Sequence, residues 1–263
     1  MVDFIKEVEK ITGNKNLSDR FNFNDWSKDK DCKGNPLYNI LCPDIYAGKV
    51  DNGVIEKWIS KEERKKKIKV KNGRHIQSYD FSKLDPTNRN SIVIILESPH
   101  KNEYELDQLW DKPNPAMGTT GTKLGNNIGD LIKAVSKTYP QINRGKYQIV
   151  LMNSIQYQCS LGVTPLDVTV RDFVFSQIWK LIDEIRESFV TRLKSYKPKF
   201  IFNLCTMGKV VPHLDFLVQA LINDKYLKDN KVNLFVGNHP SGWRKGNKFV
   251  YDVREPYKDI IKF

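Results

Sequence analysis

The sequence lacks any long apolar run, is short of cysteine and carries a deficit of acidic residues, and each shortage narrows the field. No stretch among its 263 residues approaches the ~20 consecutive apolar side chains of a membrane-spanning helix. The first segment, MVDFIKEVEKI, has acids inside its apolar pattern, so neither a spanning segment nor a secretory signal is expected. The four cysteines, Cys32, Cys42, Cys159 and Cys205, form no C-x-x-C pair, and Cys205 lies in the run FIFNLC, where a buried thiol is the ordinary reading. That usage points to a reducing, cytoplasmic setting. Asp and Glu number 31 against 43 Lys and Arg, which leaves a formal charge of +12 and a pI of about 9.4. A strongly basic globular chain is drawn to polyanions: nucleic acid, an anionic membrane surface or an acidic substrate.

What is present is enough to fold. Hydrophobic residues at 40% and aromatics at 11% suit a sizeable core and argue against global disorder. The length allows one large domain, or a domain with an extension.

Residues 1–90 read as a basic extension packed on a core: polar, rich in Asn, Asp and Lys, and broken by Lys33-Gly34-Asn35-Pro36 and Asp51-Asn52-Gly53. Phe4, Ile5, Val8 and Ile11 stand at helical spacing and predict a short amphipathic helix over Val2 to Ile11; a second helix is expected over Val54 to Lys66. The run Lys61 to His75 holds eight Lys and Arg against two Glu. Ile68 and Val70 alternate with lysines there, which predicts a hairpin turning at Asn72-Gly73, either a phosphate-contacting ribbon or a solvated charged edge.

From Ser91 onward the pattern changes. Ile92–Leu96, Ile149–Met152, Phe200–Leu204 and Asn233–Val236 are continuous apolar runs, mostly rich in β-branched residues, that suit strands buried on both faces. Helices are expected near Asn126–Lys137, Val170–Tyr196 and Val211–Leu227. The fold class is therefore α/β, a three-layer α/β/α core over residues 91–263 with a central four-stranded parallel sheet. In such sheets ligands bind beyond the carboxyl ends of the strands. The residues there are Glu97-Ser98-Pro99-His100, Asn153-Ser154, Cys205-Thr206-Met207-Gly208 and Gly237-Asn238-His239-Pro240-Ser241, which bring a carboxylate, an amide and an imidazole to one rim.

Over roughly Ser91 to Lys248 these segments resemble the uracil-DNA glycosylase superfamily. The likeness is greatest to the bacterial and archaeal branch whose first motif reads G-E-A/G-P-G-x-x-E. Leu96-Glu97-Ser98-Pro99-His100-Lys101-Asn102-Glu103 keeps both glutamates and the proline and loses both glycines. Pro115-Ala116-Met117-Gly118-Thr119-Thr120-Gly121 stands for P-F-x-G-x-x-G, and Asn153 for the asparagine ending the second core strand. Lys197-Pro198-Lys199-Phe200-Ile201 matches the K-P-K/R strand start, and His239-Pro240-Ser241 with Arg244 matches the final motif.

The resemblance implies a monofunctional DNA glycosylase that hydrolyses the N-glycosidic bond of a flipped-out base. Glu97 and Glu103 would place water and stabilise the cationic sugar, and His239 would donate a hydrogen bond to the departing base. Asn153 would grip the base edge, with Ser98, Pro99, His100, Ala116 and Met117 around it. Gly118, Thr119, Thr120, Ser241, Arg244 and Lys245 would contact phosphates, and Trp243 would be the wedge filling the gap left by the base. The family's stacking phenylalanine falls on Ala116, and the spacing between Glu103 and Ala116 is longer than usual. The missing ring means either lost uracil affinity or room for a bulkier base, such as a hydroxymethylated or glucosylated cytosine of phage DNA in a defence role; with the long spacing and the basic extension it points away from a housekeeping uracil enzyme. A uracil enzyme of base-excision repair and an inactive binding module on the same fold are the alternatives. The branch's iron–sulfur cysteines are not matched, so no metal and no cofactor are expected. DNA is the expected partner, without membrane contact, and the chain is expected to act as a monomer.

Overall fold

The structure, a computed structural model, describes residues 40–66, 68–71, 74–77, 90–100, 103–104, 113–159, 175–176, 178–180, 182–205, 223–252 and 260–263. Strands β1 (Ile45–Asp51) and β2 (Val54–Trp58) form a hairpin around Asn52-Gly53, whose φ values of 49° and 77° are the left-handed pair that such a two-residue turn requires. Ser60 then opens helix α1 (Lys61–Lys66) with a capping box. Its hydroxyl accepts from Glu63 N at 3.1 Å, and the Glu63 carboxylate accepts from Ser60 N at 2.8 Å. The single helix expected over Val54–Lys66 is thus corrected, because the β-branched pair Val54-Ile55 ladders with β1 and the helix starts only at its cap.

Strands β3 (Ile68–Lys71) and β4 (Arg74–Gln77) pair with Lys71 opposite Arg74, as the alternation predicts, and form a separate two-stranded sheet. There follow β5 (Ser91–Leu96), α2 (Thr119–Thr138), β6 (Lys146–Asn153), α3 (Asp183–Ser195), β7 (Pro198–Asn203), α4 (Lys225–Asp229), β8 (Asn233–Gly237), β9 (Phe249–Asp252) and β10 (Ile261–Lys262). The helix expected over Val2–Ile11 and residues 211–222 of the one expected over Val211–Leu227 lie outside the described residues.

Eight strands make one sheet in the order β10-β9-β8-β7-β5-β6-β1-β2. The central four, β6-β5-β7-β8, are parallel, and they are the four apolar runs read from the sequence. The sheet as a whole is eight-stranded and mixed, not four-stranded and parallel, because β1 adds antiparallel to β6 and β9 adds antiparallel to β8. Residues 45–58, expected within an extension, are therefore strands of the central sheet.

Alternation along the strands sends successive side chains to opposite faces. Val93, Ile95, Val150 and Met152 pack on one face with Ile185, Phe189 and Leu193 of α3. Ile92, Ile94, Ile149 and Leu151 pack on the other with Leu124, Ile128 and Leu131 of α2. All six residues of β5 are buried, as a strand covered on both faces requires.

Candidate functional site at the carboxyl edge of the sheet

The strand ends are stitched together just beyond the ladder. Ser154 donates to Leu96 O from its backbone at 2.9 Å and from its hydroxyl at 2.6 Å. Ile155 N donates to Glu97 O at 3.2 Å, and Leu204 N to Ile95 O at 2.9 Å. Glu97, buried at 8% exposure, lies close enough to Cys205 for its charge to join burial in pushing that thiol up, and Cys205 Sγ is 3.3 Å from Ser154 Oγ.

On the α2 side of the rim, Glu103 is enclosed. Its backbone N donates to His100 O at 2.8 Å, and its backbone O accepts from Asn114 N at 3.1 Å. Oε1 accepts from Ala116 N at 2.9 Å, and Oε2 accepts from Asn153 Nδ2 at 3.3 Å and from the Cys42 thiol at 3.8 Å. Burial pushes the Glu103 carboxyl up to about 7, against the opposing pull of the Ala116 N–H, the Asn153 amide, the Arg64 charge and Cys42. Burial and the nearby Glu103 and Asp44 charges likewise push the Cys42 thiol up, which keeps it protonated.

The Ala116 turn is held from both sides. Arg64, 4% exposed, donates Nη1 to Pro115 O at 2.8 Å and Nη2 to Ala116 O at 3.1 Å, while Glu103 takes the Ala116 N–H. Ala116 itself is in the left-handed region at φ 58°, which a non-glycine residue occupies only under constraint. Gly121 is dictated by this turn, since a Cβ there would lie 1.8 Å from Ala116 O.

A second buried arrangement fixes the end of β6. Arg192 Nη1 donates to both oxygens of Asp44 at 2.6 and 2.7 Å, and Nη2 donates to Asn153 O at 3.1 Å and Ser154 O at 3.3 Å. Tyr196 adds its hydroxyl to Asp44 at 2.9 Å. Burial raises the Asp44 carboxyl, opposed by Arg192 and Tyr196. A cavity of about 300 Å³ opens beside this group, lined by Leu41, Ser154, Gln156, Tyr157, Ile185 and Arg192 among others. None of the residues expected to read a base lines it.

His239 lies past β8, two strand spacings or about 10 Å from the line of β5. Its Nδ1 accepts from Ser241 N at 3.3 Å and is 2.8 Å from Ser241 Oγ. With Nδ1 accepting that N–H, a neutral ring carries its proton on Nε2.

Of the remaining expected site residues, Ser98 and Gly118 are half-buried, Pro99 and Met117 buried, and His100 exposed. Thr119 and Thr120 form the first turn of α2, whose N-terminus has no side-chain cap and no acidic residue. Ser241, Arg244 and Lys245 are exposed, and Lys248 ties their loop to α2 through Asn127 at 2.8 Å. Two expectations are corrected. Trp243 is not a wedge: it is 1% exposed, donates Nε1 to Asn238 O at 2.9 Å and packs edge-on against Phe263 at 5.0 Å. Ala116 opens no pocket wall, because it is fully buried in the α2-side cluster.

Cys42, Asp44, Arg64 and Arg192 were not selected from the sequence. Only the S-x-x-E capping box at Ser60-Glu63 gave a signal, since it fixes where α1 starts and hence the phase that turns Arg64 inward. No protein-family model, curated protein or solved structure matches the chain.

Proposed function

We propose that the chain is a monofunctional DNA glycosylase, hydrolysing the N-glycosidic bond of a base flipped out of DNA and leaving an abasic site. One observation carries the reading. Glu103, Ala116 and Asn153, taken from three separate motifs of the resemblance, are directly hydrogen-bonded at the carboxyl edge of the parallel strands, with Glu97 just past the end of the adjacent strand. That edge is where α/β sheets hold ligands.

In this reading water adds its oxygen to C1′ as the bond from C1′ to the base nitrogen breaks; the base leaves with the electron pair and takes up the proton that the water gives up. Glu97 orients the water and stabilises the oxocarbenium-like sugar. The Nε2–H of His239 donates to the oxygen on which the base's negative charge develops. Gly118, Thr119 and Thr120 offer the uncapped N-terminus of α2 to a phosphate, joined by Ser241, Arg244 and Lys245. No lysine stands in a motif position for a Schiff base.

The argument for a bulky base from the missing ring at Ala116 falls with that residue's burial. The long spacing between Glu103 and Ala116 and the basic extension still point away from a housekeeping uracil enzyme, and a modified cytosine of phage DNA, with a defence role, is kept as the substrate to test against uracil. The test is base release, by mass spectrometry, from matched duplexes carrying uracil, cytosine, hydroxymethylcytosine or glucosylated hydroxymethylcytosine. Release of a modified cytosine is expected, with loss of turnover in Glu97→Gln and His239→Ala. Release of uracil alone turns the assignment to repair, and release of no base refutes glycosylase activity in favour of a binding module.

A further inference from the structure

We infer that the two-stranded ribbon β3–β4 is a phosphate-binding arm for the backbone of duplex DNA beside the strand-end rim; the inference takes only the DNA partner from the glycosylase reading and none of its chemistry. The register sets Ile68 opposite Gln77, Lys69 opposite Ile76, Val70 opposite His75 and Lys71 opposite Arg74. Side chains alternate along a strand, so Lys69, Lys71, Arg74 and Ile76 share one face of the ribbon, and Ile68, Val70, His75 and Gln77 share the other. Residues two apart on a strand are about 7 Å apart, close to the separation of adjacent phosphates along one DNA strand, and directly opposed residues are about 5 Å apart. Lys69 and Lys71 have the first spacing, and Arg74 widens the charged face across the ribbon.

A solvated edge accounts for this arrangement less well. Charge that guards a sheet against pairing belongs on the outermost strand of that sheet. The central sheet ends in β2 and β10, and the ribbon is a separate sheet. Its charge is also of one sign, since Arg64 to Tyr79 holds seven Lys and Arg and no Asp or Glu. Like charges directly opposite one another, as at Lys71 and Arg74, destabilise a strand pair, and a lone hairpin has little stability to lose. A polyanion removes that repulsion and gains the entropy of the counterions it releases.

Connectivity ties the ribbon to the rim. Arg64 of α1 donates to Pro115 O and Ala116 O, in the turn that leads to the uncapped N-terminus of α2. Ile68 follows four residues later, at most about 14 Å along the chain. About four phosphates of one DNA strand cover that distance along the helix axis. A membrane surface would be drawn to the same cations, but only a chain of phosphates runs from them to the rim.

The test is the salt dependence of binding between the full chain and a duplex of ordinary bases. Lys69→Gln/Lys71→Gln/Arg74→Gln is compared with Lys225→Gln/Lys228→Gln/Lys231→Gln, which changes exposed lysines in and after α4, before the amino end of β8. Each lowers the formal charge from +12 to 12 − 3 = +9. With one phosphate per cation, the slope of log K against log salt should fall by about 2.7 in the ribbon variant. Its disadvantage relative to wild type should then shrink about forty-fold between about 50 and about 200 mM salt. The α4 variant should keep its slope within about 0.5 of wild type, as should Lys69→Arg/Lys71→Arg, which retains the charge. Lys69→Gln alone should lower the slope by about 0.9, which decides the matter if the triple variant unfolds.

A ribbon variant with the wild-type slope leaves a solvated hairpin and overturns the inference. An equal fall in the ribbon and α4 variants overturns it too, since net charge alone is then responsible. Wild-type chain that binds phosphatidylserine vesicles but not the duplex also refutes it. Base release by the wild type is read separately: its absence beside an intact slope difference removes the glycosylase reading and leaves the ribbon standing.

Discussion

Glu103 makes the stability of the fold depend on pH in a calculable direction. Its carboxyl is pushed from the ordinary 4.5 up to about 7, mainly by burial. Below 4.5 the folded and unfolded chains both hold the proton and the group contributes no slope. Between 4.5 and about 7 the unfolded chain releases the proton while the folded one keeps it, so stability falls as pH rises. Above that window both states are ionised and the cost stays constant. At about 1.4 kcal/mol per pKa unit, the full loss is about 3 kcal/mol. Urea unfolding of the wild type and Glu103→Gln, measured from about pH 4 to 8.5, isolates this contribution, since the other titrating groups are common to both. The free energy of the wild type should drop by about 3 kcal/mol relative to the glutamine variant across the window, then run parallel to it. Curves parallel throughout would refute the buried-carboxylate account of the site.

Arg64→Met should lower Tm by about 5–15 °C, because it leaves the buried carbonyls of Pro115 and Ala116 without donors at roughly 1–3 kcal/mol each. It should also raise the Glu103 carboxyl further, and a Tm within about 2 °C of wild type would sink the clamp. Trp243→Phe should cost about 1–3 kcal/mol through the lost Nε1 bond and the vacated volume, with base release per folded molecule unchanged. Unaltered stability with abolished base release would instead restore the wedge.

The central strands were legible because IVIIL and FIFNL are too apolar and too short for anything but a doubly covered strand. Strand β1 was not, because Lys49 and Gly48 interrupt its pattern. Gly48 is imposed by tertiary contact, as a Cβ there would sit 2.3 Å from Lys57 O. Strand β10, two residues long, is too short to carry any period. Glu103 and Asn153 were reached through motif resemblance, yet nothing local told that they touch across 50 residues. Arg64 and Arg192 were hidden for the same reason, their partners standing 52 and 148 residues away. Trp243 was misjudged because Gly242, Arg244, Lys245 and Gly246 do describe an exposed turn, and composition reports the backbone's path without reporting which way one indole turns.

The rim is therefore assembled from both sides of residue 90. Cys42 touches Glu103 and Asn153, Asp44 anchors the arginine that holds the Asn153 carbonyl, and Arg64 anchors the turn that supplies the Ala116 N–H. A carboxyl raised to about 7 survives in such a place only because fixed donors surround it: an N–H, an amide and a nearby guanidinium. Those donors in turn keep their positions only while β1 lies against β6 and α1 against the Ala116 turn. Residues 40–66, which composition marks as part of an addition to the core, therefore help wall in Glu103, and the raised carboxyl depends on that burial.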